Sequence, residues 1–85
     1  MRITLRLFAS LREQLGISQE SLEIPSDVRT IAELRAWLML RGAVWEELLA
    51  EGRSVRAALN QEMVEQDCAL VADAEVAFFP PVTGG

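Results

Sequence analysis

Two glycines close the sequence, in Val82-Thr83-Gly84-Gly85, directly after the aromatic and proline run Phe78-Phe79-Pro80-Pro81. A Gly-Gly end has no Cβ at either position and finishes in a bare carboxylate. It can therefore enter a channel too narrow for any side chain. The prolines fix φ and keep the tail from folding back as a helix or a sheet strand. The most reactive feature of the chain is then its own end, the carboxylate of Gly85. The same residues also describe a frayed terminus, and taken alone they leave both readings open.

The rest of the composition offers little chemistry. There is no histidine, which removes the usual neutral-pH general base and the commonest metal ligand. The single cysteine, Cys68, excludes an internal disulfide. It has no histidine to activate it and no second cysteine for a zinc site, so it reads as a small, half-buried apolar residue. No glycine-rich phosphate loop is present. A self-sufficient enzyme is not expected, nor a metal or cofactor bound by this chain. All eight basic residues are arginines, and the net charge is −5. That balance argues against a nucleic-acid partner and favours protein partners with basic surfaces or pockets. No apolar run is long enough to span a bilayer, and no secretory signal opens the sequence. A cytoplasmic protein without a membrane partner is expected.

The elements that must position the tail follow from periodicity. Residues 2–8 alternate, with Ile3, Leu5 and Leu7 on one face and Arg2, Thr4 and Arg6 on the other, as in a half-buried strand. Residues 10–15 predict a short helical turn closed by Gly16. Leu22 and Ile24 alternate with Ser21 and Glu23 in a second strand that Pro25 ends. Thr30-Ile31-Ala32-Glu33 is a capping box. Its helix is predicted to run to about Arg41 and stop at Gly42, with Ile31, Leu34 and Leu38 as the apolar stripe and Trp37 and Leu40 widening it. Trp45, Leu48 and Leu49 predict a further short helix ending at Gly52. Residues 55–59 form a third strand, Asn60-Gln61 a turn, and Met63-Val64 the start of a returning strand. After a loop over residues 70–74, residues 75–79 make the last strand. The order is β-β-α-β-β-β in one domain, residues 1–79, followed by a flexible tail, residues 80–85.

Parity places Phe8 with the arginines of the first strand and Phe79 with Glu75 on the last. If those strands pair, two phenylalanines share the face away from the core. Two aromatics on one patch suggest a partner surface, which Met63 could extend.

The last strand and tail, Glu75-Val-Ala-Phe-Phe-Pro-Pro-Val-Thr-Gly-Gly85, resemble the small subunit of molybdopterin synthase, a ubiquitin-like sulfur carrier family. The resemblance continues in Leu7-Phe8-Ala9, in Leu11-Arg12-Glu13 with Leu15-Gly16, in Thr30-x-x-x-Leu34-Arg35 and in Ala58-Leu59-Asn60-Gln61. It implies an α+β fold of the β-grasp class: a mixed sheet, one main helix across it and a protruding C-terminal tail, with the first and last strands parallel neighbours at the sheet centre. One departure is Asp73-Ala74-Glu75, where the family usually has Gly-Asp-Glu. Asp tolerates the left-handed backbone that a turn glycine supplies, so the turn is expected to survive.

The resemblance further implies a function. A ubiquitin-activating-like adenylyltransferase would use ATP to adenylate the Gly85 carboxylate, with Gly84 admitting the tail to its channel. A persulfide donor would then supply the sulfur of a C-terminal thiocarboxylate. The large subunit of molybdopterin synthase, in a heterotetramer, would pass that sulfur to cyclic pyranopterin monophosphate. Phe8, Met63, Phe79, Pro80, Pro81, Val82 and Thr83 would be the partner-binding residues. Three other readings share parts of the sequence: a sulfur carrier for thiamine or tRNA thiolation, a ubiquitin-like modifier of lysines, and an interaction domain with an inert tail.

Overall fold

The structure, a computed structural model, describes residues 1–81; the expectations for Val82, Thr83, Gly84 and Gly85 lie outside the described residues. The elements run β1 (Arg2–Leu7), α1 (Ala9–Leu15), β2 (Gln19–Glu23), α2 (Ile31–Met39), α3 (Ala43–Leu49), β3 (Arg56–Leu59), β4 (Glu62–Val64) and β5 (Glu75–Phe79). The strands form one sheet in the order β2-β1-β5-β3-β4. β1 and β5 pair in parallel, with Leu5 opposite Val76 and Leu7 opposite Phe78. Every other pair is antiparallel. This is the ubiquitin-like β-grasp arrangement, and the last strand sits in the middle of the sheet.

The alternation of β1 and β5 drives one face into the core. Ile3, Leu5, Val76 and Phe78 have no exposed surface, and Ile31, Leu34 and Leu38 of α2 cover them equally completely. Burying a side chain of this size stabilises the fold by roughly 1.5–3 kcal/mol. Leu11 of α1 and Leu48 and Leu49 of α3 close the same cluster. α2 starts where its capping box requires: the Thr30 hydroxyl accepts from the Glu33 N–H at 3.1 Å, and the Glu33 carboxylate accepts from the Thr30 N–H at 3.2 Å.

Five expectations need correction. α3 ends at Leu49, with Ala50 as its C-cap, and does not reach Gly52. α2 ends at Met39, and Leu40 follows it as the C-cap, 82% exposed rather than part of the apolar stripe. Gly42 begins the next element instead of only ending α2: it is the N-cap of α3, at φ 156° and ψ 174°, a region essentially confined to glycine. β2 extends back to Gln19, because Arg6 of β1 offers it a partner. β3 starts at Arg56, since Phe79 is the last residue of β5 with which it can pair. Among the described residues no helix is long and apolar enough to cross a membrane.

Candidate functional site: the open sheet face and the base of the tail

On the face away from the core, one row of residues crosses four strands. Arg6 lies opposite Ala77, Ala77 opposite Ala58, and Ala58 opposite Met63. One step further along, Phe79 pairs with Arg56. The Phe8 N–H donates to the Phe78 carbonyl at 3.3 Å, which carries the β1–β5 ladder one residue on and brings Phe8 beside Phe79. Phe8, Phe79 and Met63 therefore share one face, and the register settles the side on which Met63 stands. They are not equally open. Met63 is 58% exposed and Phe8 36%, while Phe79 is half-buried. Ala58 and Ala77 are buried although they face outward, because larger neighbours stand around them. The result is a shallow floor of two alanines with aromatic, thioether and arginine side chains at its edge. An apolar floor with large amphipathic residues around it suits a protein partner.

Charge lies beside the aromatics. The Arg6 guanidinium sits 5.3 Å from the centre of the Phe8 ring, within cation–π range. It also reaches the Glu75 carboxylate at 3.4 Å. Among the described residues its buried Nε has no hydrogen-bond partner, so the group is only partly satisfied on the free face.

Three backbone devices hold this surface in place. Ala9 at φ 52° turns the chain sharply from β1 into α1 and leaves Phe8 at the corner. Asn60 and Gln61 both have positive φ, as a two-residue hairpin turn of the mirror-image type requires. Asn60 also clamps the start of β5. Its N–H donates to the Glu75 carbonyl at 2.8 Å, and its side-chain oxygen accepts from the Glu75 N–H at 2.9 Å. Asp73 stands at φ 65°, so it adopts the left-handed turn expected of it.

At the other end of β5, Pro80 and Pro81 are half-buried. Pro81 lines an open cleft of about 400 Å³ with Arg35, Arg53, Arg56 and Met63. Arg35 organises one wall. Its guanidinium donates to the carbonyls of Leu49 at 2.7 Å, Ala50 at 2.7 Å and Arg53 at 2.8 Å. These include the free carbonyls of α3, which has no basic residue in its own last turn. Burial pushes the Arg35 pKa below its ordinary value, opposed by the Glu51 charge.

Of the residues expected to bind a partner, the structure describes Phe8, Met63, Phe79, Pro80 and Pro81, and it places the first three on one sheet face. The sequence reading missed the bracing by Arg35 and Asn60. Their signal was weak: an asparagine in a turn and an arginine in the main helix, α2, each matched to the family but to no role. Cys68 is free and packs half-buried against the core, as its type suggested.

The ThiS family model matches residues 5–85. The chain is 39% identical to the "Molybdopterin synthase sulfur carrier subunit" of Escherichia coli, over 98% of this chain and 99% of that one. Among solved structures, SAMP1 from Haloferax volcanii superposes with a TM-score of 0.78 at 24% identity, each chain covered in full. Subunit 1 in the protein–protein complex of subunits 1 and 2 of the molybdopterin-converting factor of Helicobacter pylori superposes at 0.68 and 23% identity, again over the whole of both chains.

Proposed function

The chain belongs to the ThiS family, and from that premise we propose that it is a sulfur carrier that serves molybdopterin synthesis through the carboxylate of Gly85. The observation that carries the reading is the relation to the Escherichia coli sulfur carrier subunit over nearly the whole of both chains. The fold supports it, because the central strand β5 leads directly into Pro80 and Pro81.

The chemistry needs an activated carboxylate, since a free carboxylate is a poor electrophile. An adenylyltransferase partner attacks ATP with the Gly85 carboxylate, releases pyrophosphate and leaves an acyl-adenylate. The terminal sulfur of a persulfide donor displaces AMP. A second thiol then cleaves the resulting acyl disulfide and leaves the thiocarboxylate. In the large synthase subunit that sulfur is the nucleophile delivered to cyclic pyranopterin monophosphate. No step calls for a catalytic side chain on this chain. Its part is to dock through Phe8, Phe79 and Met63, and to deliver an end that is free of side chains at Gly84 and Gly85.

The test is intact mass after incubation with ATP, the activating enzyme and a sulfur donor, followed by product formation with the large subunit. The expected result is exchange of one oxygen for sulfur at the C-terminus, then dithiolene. Deleting Gly85 shortens the reach by about 3.3–3.6 Å and should abolish both. Adducts on lysines of other proteins would instead identify a modifier. Wild-type product from the shortened chain, or no mass change in the intact one, would overturn the proposal.

A further inference from the structure

The cleft beside Pro81 carries a charge opposite to that of the molecule. Three of the eight arginines, Arg35, Arg53 and Arg56, line it against one carboxylate, Glu65, in a chain of net charge −5. Arg35 has its Nε and Nη2 committed to backbone carbonyls. Arg53 and Arg56 are exposed, and among the described residues neither side chain has a carboxylate partner. Arg2, Arg6 and Arg41 each have one, whereas Arg12 and Arg29, which lie outside the cleft, have none among the described residues. The cleft is also continuous with the docking face. Met63 belongs to both, and Arg56 stands opposite Phe79 in the sheet register.

We propose that Arg53 and Arg56 form a socket for an acidic segment of the protein that receives the tail, so that the tail base is clamped electrostatically while the aromatic face is covered. The proposal rests on the sulfur-carrier reading and commits to a peptide segment bearing carboxylates, as the local charge demands. Guanidinium groups suit it because they hold carboxylates with two parallel hydrogen bonds. A clamp at this point has a mechanical use. It fixes the exit direction of the tail close to where Pro81 leaves the domain, so the partner need not find the carboxylate by diffusion alone.

The experiment is stopped-flow association of the full chain with the large synthase subunit. It is run at about 0.01 M and about 1 M ionic strength, where charges are screened beyond about 30 Å and about 3 Å. The double variant Arg53→Gln/Arg56→Gln should associate about tenfold more slowly than wild type at low salt, and the two rates should converge at high salt. Arg53→Lys/Arg56→Lys should keep most of the rate. Arg29→Gln, which removes a charge outside the cleft, should change it by less than about twofold. Equal rates for the double variant and wild type at low salt overturn the proposal. So does a loss per charge equal to that of Arg29→Gln, which would mean net charge alone. Inorganic phosphate that saturates the Arg53 and Arg56 side-chain NMR signals of the free chain would mark a small-anion site. A shift of those signals on deleting residues 82–85 would mean that the chain's own end fills the cleft. Either finding overturns the socket. Failure of wild type to bind the large subunit removes the sulfur-carrier reading, and the socket with it. Normal wild-type binding with an unaffected double variant removes the socket alone.

Discussion

Asp73 carries a conformational load that its side chain only partly relieves. It holds φ 65° where an L-residue pays for the approach of Cβ to the carbonyl oxygen, and Asp pays less than most. Asp73→Gly is expected to leave stability unchanged or raise it by up to about 1 kcal/mol, while Asp73→Val lowers it by about 1–2 kcal/mol. Urea unfolding of the three proteins decides this. A second residue-scale effect belongs to Glu20, whose carboxylate takes two hydrogen bonds from Arg41 at 2.8 and 2.7 Å. Those bonds hold its pKa below the ordinary value and raise that of Arg41. Because the folded pKa is the lower one, the stabilisation is fully present above the ordinary glutamate pKa of about 4.3. It is lost as pH falls through the lower folded value. The pair is partly exposed, so the amount is modest, about 0.2–1 kcal/mol. Glu20→Gln should remove that share of stability at pH 7 and show a flatter acid limb in thermal melts. A melt at pH 7 identical to wild type would mean that the pair contributes nothing.

At the scale of elements, α2 is the one most completely specified by its own residues. Thr30 and Glu33 cap its start, and Ile31, Leu34 and Leu38 are fully buried. Thr30→Ala should cost about 1 kcal/mol, read from the urea midpoint, with the far-ultraviolet spectrum retained. Such elements were legible because local chemistry and packing agree: the alternation of β1 and β5, the Asn60-Gln61 turn and the capping box all appear in the structure as the sequence implied. Leu40 was misread because helical spacing continues to it, whereas the chain leaves α2 one residue earlier and turns toward Gly42. Nothing in a pattern of apolar spacing reports where the last backbone hydrogen bond forms. The pairing of α3 with Arg35 was hidden for a related reason. It joins residues 14 to 18 apart, and such a partnership is fixed by tertiary approach, not by local preference. The candidate partner face was half legible: parity put Phe8 and Phe79 together, but the alanine floor beside them, between Arg6 and Met63, became visible only with the register.

For the molecule as a whole, the sulfur-carrier proposal would have one face serve two partners in turn. Phe79→Ala, at a half-buried position outside the core, should leave the fold intact and weaken binding to the large synthase subunit by on the order of 2 kcal/mol or more. The activating enzyme should suffer a comparable loss and compete with the large subunit for the same protein in a calorimetric titration. Unchanged affinity for either partner would separate the two surfaces. The position of β5 has a further consequence, for synthesis and decay. It is the last strand made and also the middle of the sheet, supplying Val76 and Phe78 to the core. A nascent chain therefore cannot close its sheet until residues 75–79 have left the ribosome. A copy cut before Glu75 lacks β5 altogether and loses the pairing to both β1 and β3. On the carrier proposal, such copies are expected to unfold and not to persist as blunt-ended decoys that occupy a partner and deliver nothing.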